Sequence, residues 1–288
     1  MIETLRRNNM SSERIRGDGQ YAVAARLLDA ADGLLITAGA GMGVDSGLPD
    51  FRGAQGFWQA YPALAKSRIH FQDIASPETF ESDPALAWGF YGHRLALYRR
   101  TIPHEGYCIL LKWSQQMPKG VFVFTSNVDG QFQKAGFADN RVCECHGSIH
   151  HLQCTQPCLA SIWPASEVMP EVDEDQCRLV SPLPVCRDCG ELARPNILMF
   201  GDWSWQDHRT QAQQLRLNAW LAGVSRPVVI ELGAGTNIPT VRRFGEALDA
   251  PLIRINPTEP AVVHRRDVSL AMGALETLRE IDAALAGG

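Results

Sequence analysis

Short apolar runs alternate along this chain with longer stretches of mixed polarity. Leu34-Leu35-Ile36-Thr37, Val121-Phe122-Val123-Phe124-Thr125, Val228-Val229-Ile230-Glu231-Leu232 and Leu252-Ile253-Arg254-Ile255 are apolar almost throughout. Runs this short, several of them bounded by glycine, predict strands buried on both faces of a parallel sheet. Helical stretches lie between them: Tyr21 to Asp32, closed by Gly33, then Ala85 to Tyr98 and Gly106 to Gln116. Alternating strands and helices predict an α/β fold with a doubly wound, Rossmann-like parallel sheet. The segment from about Cys154 to Arg194 breaks the pattern. It is rich in proline, cysteine and acids and has little periodicity, and it reads as an inserted module held by metal rather than by a core.

Composition narrows the picture. A chain of 288 residues with 45% hydrophobic side chains can bury a full core without disulfides. The net charge of −5 supplies no basic field, so direct nucleic-acid binding is not expected. No apolar run approaches the ~20 residues needed to cross a bilayer, so no membrane partner is expected. Residues 1–19 are polar and lack the apolar core of a secretory signal, which predicts a flexible tail. The eight cysteines do not form a secreted disulfide pattern. Four of them sit in two close pairs, which points to metal binding in a reducing, cytoplasmic setting.

The first strand runs straight into Gly39-Ala40-Gly41-Met42-Gly43. A glycine-rich turn after a buried strand lets backbone N–H groups approach a pyrophosphate. Val44 stands where a strict G-x-G-x-x-G would place its third glycine, so the turn by itself is equally a tight bend. The longer run Gly39-Ala40-Gly41-Met42-Gly43-Val44-Asp45-Ser46-Gly47-Leu48-Pro49-Asp50-Phe51-Arg52-Gly53 resembles the sirtuin signature in order and length. Further blocks resemble the same family in sequence order: Thr125-Ser126-Asn127-Val128-Asp129-Gly130, Cys145-His146-Gly147, Arg194-Pro195-Asn196-Ile197 through Phe200-Gly201-Asp202, Gly235-Thr236-Asn237 and Ile255-Asn256. Three positions depart from the family pattern: Gly43 for a serine, Ser126 for a glutamine and Phe132 for a histidine.

The resemblance implies an NAD-dependent protein deacylase acting on an acyl-lysine protein or peptide. In that chemistry the acyl group passes to the ADP-ribose part of NAD and nicotinamide leaves. It implies His146 as the base, and imidazole titrates near the working pH. Asn127 is implied to position ribose or a water, and Asp129 to bind the nicotinamide amide. Asn and Asp before Gly also make an ordinary turn, which is compatible with those roles. Gly39, Ala40, Gly41, Asp50, Phe51, Arg52, Ser126, Gly235, Thr236, Asn237 and Asn256 complete the implied NAD set. Phe51 would shield the ribose and Arg52 would meet phosphate, whereas without the resemblance Arg52 reads as a surface cation. Phe200 and Gly201 are implied to bind substrate. The loss of the usual glutamine at Ser126 leaves the positioning of the ribose open.

Cys154 and Cys158 are spaced C-x₃-C, and Cys186 and Cys189 C-x₂-C. Two such pairs can close a tetrahedron around Zn²⁺, and four thiolates leave no open position, so the expected metal is structural. Reduced thiols without metal are the plain alternative, and Cys177 is a competing ligand.

Tyr91 and Arg94 share one face of a helical stretch. The resemblance to the desuccinylase-like branch of the sirtuins, where a tyrosine and an arginine at this spacing bind an acyl carboxylate, extends to Ala75 as a small residue widening the pocket. It implies a preference for succinyl, malonyl or glutaryl groups. Plain packing of Tyr91 and solvation of Arg94 are the competing account. Mono-ADP-ribosyl transfer or NAD hydrolysis, a non-enzymatic NAD-binding module and a dehydrogenase are the rival functions. The expected organisation is a Rossmann-like domain over 20–53, 103–147 and 195–288, with a small domain from a helical insertion at 54–102 and a zinc module at 148–194.

Overall fold

The computed structural model describes residues 19–50, 53–156, 158, 159 and 161–287. Its strands, in chain order, are β1 Gly33–Ala38, β2 Val121–Thr125, β3 Val142–Glu144, β4 Gly147–Cys154, β5 Ile162–Pro164, β6 Val172–Asp173, β7 Arg178–Leu179, β8 Ala193–Ile197, β9 Pro227–Leu232, β10 Leu252–Ile255 and β11 Val268–Leu270. The main sheet has six strands in the order β11-β10-β9-β1-β2-β3. Pairing is parallel between β1 and β9, β9 and β10, and β10 and β11. The four apolar runs named above are all strands of this sheet. Helices cover 19–29, Pro84–Arg100 and Glu105–Gln116, close to the expected stretches. To these the structure adds helices His208–Ala222 and Ala274–Ala286. Among the described residues no helix is long and apolar enough to cross a membrane.

The chain divides into two compact units. The first takes the described residues to Asp45, then His104–Phe124 and everything from Leu217 onward; the second takes Ser46–Pro103 and Thr125–Arg216. The break falls inside β2, between Phe124 and Thr125. Packing thus groups 125–147 and 195–216 with the helical and cysteine-rich insertions.

In the first unit, β1 and β10 are buried along their whole length and β9 along all but its first residue. That burial explains why these strands read as continuous apolar runs rather than as alternating ones. Two charges interrupt the pattern, and they are paired. Arg254 on β10 donates to both oxygens of Glu231 on β9, at 2.6 and 2.9 Å, and to Glu246 at 2.7 Å. Glu231 is fully buried and Arg254 is 1% exposed, so loss of either partner would strand a charge in the core.

The second unit has its own core. Trp88, Phe90, Tyr91 and Leu95 of the helix Pro84–Arg100 pack with Phe57, Phe80, Ile149 and Leu152. Trp163, Ala165 and Leu179 of the cysteine-rich segment belong to the same cluster. β4 pairs antiparallel with β5 and β8, and β6 with β7. The module therefore has strand pairing and apolar burial of its own besides any metal. The expectation of a segment without a core missed this because its strands are two or three residues long, too short for a periodic signal.

Candidate active site

In the first unit the two glycine turns lie back to back. Gly41 N–H donates to the carbonyl of Gly233 at 3.1 Å. A Cβ on Gly39 would lie 2.8 Å from both Gly233 O and Ala234 Cα, so only glycine allows this approach. Residues Ala40–Ser46 form a 3-10 helix just after β1. Ala40, Thr236 and Asn237 are exposed, while Gly39 and Asn256 are buried. Thr236 gives its hydroxyl to Glu259 at 2.5 Å and its N–H to the same carboxylate at 3.2 Å. The amide of Asn256 is engaged within the protein. Its Nδ2 donates to Ala234 O at 2.9 Å, and its Oδ1 accepts from the N–H groups of Thr258 and Glu259 at 3.1 and 3.0 Å. Arg242 closes the frame, donating to the carbonyls of Ala234 and Glu259 at 3.1 and 2.6 Å. Glu259 and Arg242 were not singled out from the sequence. An acid just past a strand end of a parallel sheet is the signal that marks Glu259; Arg242 carries no signal until the loops are folded.

In the second unit the segment after β2 is clamped to the turn that carries His146. Cys145 N–H donates to Thr125 O at 2.9 Å, and Ile149 N–H to Val128 O at 3.0 Å. Ser126, Asn127, Asp129 and His146 are thereby held on neighbouring segments. Ser126 and His146 are half-buried; Asn127 and Asp129 are buried. Burial lowers the pKa of His146, so its imidazole is neutral at pH 7 and able to accept a proton. Burial raises the Asp129 carboxyl to about 6; the N–H of Gln131, 2.9 Å from Oδ1, pulls the other way and Glu144 pushes it further up. Phe132, where the family has a histidine, is 2% exposed and packs edge-on against Phe137. It is a core side chain here. Asp50 is half-buried in the same unit. Phe51 and Arg52 lie outside the described residues.

Ala75 and Phe200 are neighbours: Phe200 N–H donates to Ala75 O at 2.9 Å. Phe71 meets the Phe200 ring edge-on at 5.7 Å. Beyond Gly201, the Asp202 side chain is fully buried and pairs with Arg194 at 2.8 Å, so the arginine of the Arg194-Pro195-Asn196 block anchors the Phe200–Asp202 segment. Trp203 projects into solvent, 99% exposed. Tyr91 is buried and stacks on Phe80 at 5.6 Å. Arg94 is 8% exposed, not solvated. Its Nε and Nη2 both donate to the Tyr98 hydroxyl, at 2.9 and 2.8 Å, and its guanidinium lies over the rings of Phe90, Tyr91 and Tyr98. Burial works against its charge, and the phenols of Tyr98, Tyr61 and Tyr91 outweigh that, leaving its pKa above the ordinary value.

The Sγ atoms of Cys154, Cys158, Cys186 and Cys189 all lie within 4.8 Å of one another. Cys154 and Cys189 are 3.6 Å apart, and Cys158 and Cys186 3.7 Å. A tetrahedron with Zn–S bonds of about 2.3 Å has edges of ~3.8 Å. The thiols therefore suit one structural Zn²⁺. Cys177 is outside this group.

The Sir2 family pattern matches residues 39–221, which includes the glycine turn, the Asn127–Asp129 loop, His146 and the four thiols. The chain belongs to the Sir2 family. It is 28% identical over 254 residues to an NAD-dependent protein deacylase of Aquifex aeolicus, covering 86% of this chain and 93% of that one. It is 30% identical over 201 residues to the mitochondrial NAD-dependent protein deacylase sirtuin-5 of Canis lupus familiaris, covering 65% and 62%. A crystal structure of a Sir2 homologue in complex with NAD superposes with a TM-score of 0.69 at 24% identity, over 92% of this chain and 93% of that one, a likeness of fold. Membership of the Sir2 family makes this chain an NAD-dependent enzyme.

Proposed function

We propose that this Sir2 protein is an NAD-dependent protein-lysine deacylase that favours acidic acyl groups: succinyl, malonyl or glutaryl. The observation that carries the deacylase reading is the clamp of the Asn127–Asp129 loop onto the turn bearing His146, because it brings a neutral base beside buried polar groups. NAD, when bound, supplies the ribose carbon that receives the acyl oxygen as nicotinamide departs. His146 accepts a proton from a ribose hydroxyl at its ring nitrogen, a contribution of about 10²–10⁴ in rate for a positioned base. The Asp129 carboxylate, with Oδ1 taken by Gln131, suits a carboxamide N–H of the leaving group. Asn127 orients ribose or a water. In the first unit, the glycine turn with Gly39, Ala40 and Gly41 takes pyrophosphate, and Gly235, Thr236, Asn237 and Asn256 take the adenosine end. The fit rests on the exposed Ala40 after β1, on the exposed Thr236 and Asn237 after β9, and on the Glu259 carboxylate beside Thr236, an acceptor of the kind that suits ribose hydroxyls. Cys154, Cys158, Cys186 and Cys189 hold a Zn²⁺ that braces the module and takes no part in the chemistry.

For the acyl group, support comes from Ala75 next to Phe200, from the shared helix face of Tyr91 and Arg94, and from the sirtuin-5 relative. A buried guanidinium framed by phenols suits a carboxylate that arrives desolvated. The test is nicotinamide release from NAD with acetyl-lysine and succinyl-lysine versions of one peptide and a no-peptide control. Faster turnover of the succinyl peptide supports the whole reading. Turnover of the acetyl peptide alone keeps the deacylase and removes the acidic preference. Release without peptide replaces deacylation with NAD hydrolysis or ADP-ribosyl transfer.

A further inference from the structure

The glycine turn after β1 is held at both ends. At its start, Gly39 packs on Gly233 and Ala234, and Gly41 N–H bonds to Gly233 O. At its far end, Asp45 Oδ2 accepts from the N–H of Leu275 at 2.8 Å. Its middle is held by His104, a buried residue outside every motif named above. His104 Nε2 lies 2.9 Å from the carbonyl oxygen of Met42, within the 3-10 helix Ala40–Ser46. Met42 itself is fully buried.

The other ring nitrogen fixes the chemistry of this contact. His104 is the N-cap of helix Glu105–Gln116, and its Nδ1 accepts the N–H of Gly106 at 3.0 Å. A neutral imidazole has one donor and one acceptor nitrogen. With Nδ1 accepting, Nε2 carries the hydrogen and donates it to Met42 O. Burial lowers the pKa of His104, against an opposing pull from the Met42 carbonyl and from Asp45, so the ring is neutral at pH 7. Glycine at 106 makes room for it: a Cβ there would lie 2.6 Å from the ring's Cε1 and 2.8 Å from Nδ1. The cap by itself requires only an acceptor on a short side chain, as Ser, Asp or Asn supplies. The bond from Nε2 to the glycine turn is not needed for it.

We propose that His104 is a positioning residue for NAD: through Met42 O it holds the glycine turn in the conformation that receives the pyrophosphate. The proposal rests on the reading of Gly39, Ala40 and Gly41 as the pyrophosphate seat. Without this bond the middle of the turn loses its support, and NAD must order it on binding, at a cost in affinity.

The experiment is calorimetric titration of the full chain with NAD, alongside the unfolding temperature without ligand. His104→Asn keeps an amide oxygen near the position of Nδ1 and leaves nothing at Nε2. His104→Gln keeps an amide N–H near the position of Nε2 and drops the acceptor of the cap. The asparagine variant should bind NAD roughly 3–10-fold more weakly with an unfolding temperature near wild type. The glutamine variant should bind NAD within about twofold of wild type and unfold at a lower temperature. Ala40→Glu sets a carboxylate at the exposed residue of the turn and should lose NAD binding, which tests the seat itself. Wild-type affinity in Ala40→Glu overturns the reading of the seat, and the proposal with it. Loss in Ala40→Glu beside wild-type affinity in His104→Asn overturns the role of His104 alone. Affinity that follows the unfolding temperature across both histidine variants makes His104 a helix cap only, and overturns the proposal as well.

Discussion

His150 donates from Nε2 to the main-chain carbonyl of Asp129 at 2.8 Å, and its ring lies where a side chain on Gly130 would have to go. A Cβ on Gly130 would come within 2.7 Å of the imidazole, and the residue's φ of +70° is left-handed besides. The Asp129 loop is thus held by an imidazole that only glycine admits.

Gly130→Ala should therefore both strain the backbone, by about 1–2 kcal/mol, and push His150 off the Asp129 carbonyl. A lowered unfolding temperature and slower nicotinamide release are expected. Adding His150→Ala should recover part of the stability, because it removes the collision but not the strain. A double variant no more stable than Gly130→Ala alone would show that the collision has no weight.

Asp129 links the site to pH. Its pKa is raised from 3.8 to about 6, so the folded chain holds this proton more tightly than the unfolded chain. The associated stability is full below about pH 3.8 and is lost as pH rises through 6. At pH 7.5 the ionised carboxylate costs on the order of 3 kcal/mol, taking ~1.4 kcal/mol per unit. Asp129→Asn should raise the unfolding temperature at pH 7.5 by more than at pH 4.5, and should suppress nicotinamide release at both. An equal change in stability at the two pH values would remove Asp129 as the source.

The thiol cluster predicts one zinc per chain by elemental analysis. Cys186→Ser, or a strong chelator, should lower zinc content well below stoichiometric and unfold the segment at a lower temperature, since binding energy at a structural site is folding energy. Trp163 and Leu179, packed in the same core, should limit the damage to this unit. Full zinc retention in Cys186→Ser would count against the four-thiol assignment.

Arg94→Met separates a substrate role from a packing role. Loss of a charge-assisted hydrogen bond of about 2–3 kcal/mol should lower kcat/KM for the succinyl peptide by roughly 30–150-fold. The acetyl peptide should change by no more than about threefold. An equal fall for both peptides would make Arg94 a structural cation in its cage of Phe90, Tyr91 and Tyr98.

The sequence alone was enough for the β1, β2, β9 and β10 strands, because strands buried on both faces carry their apolar character without interruption. It was enough, too, for the ordered motifs that mark the family and for the thiol pairs, since loop glycines, a Cys-x₂-Cys and a His-Gly are local in the chain. Tertiary structure decided what depends on distant partners. Nothing in the local pattern around Arg94 distinguishes a surface cation from a guanidinium bound twice to Tyr98. Nor does it show that Asn256 spends its amide on Ala234, Thr258 and Glu259, or that Arg242 ties those loops together. The division of the chain inside β2 is of the same kind. Periodicity records which face of an element is buried, but not what buries it, and pKa shifts, ion pairs and cavities all arise from the second.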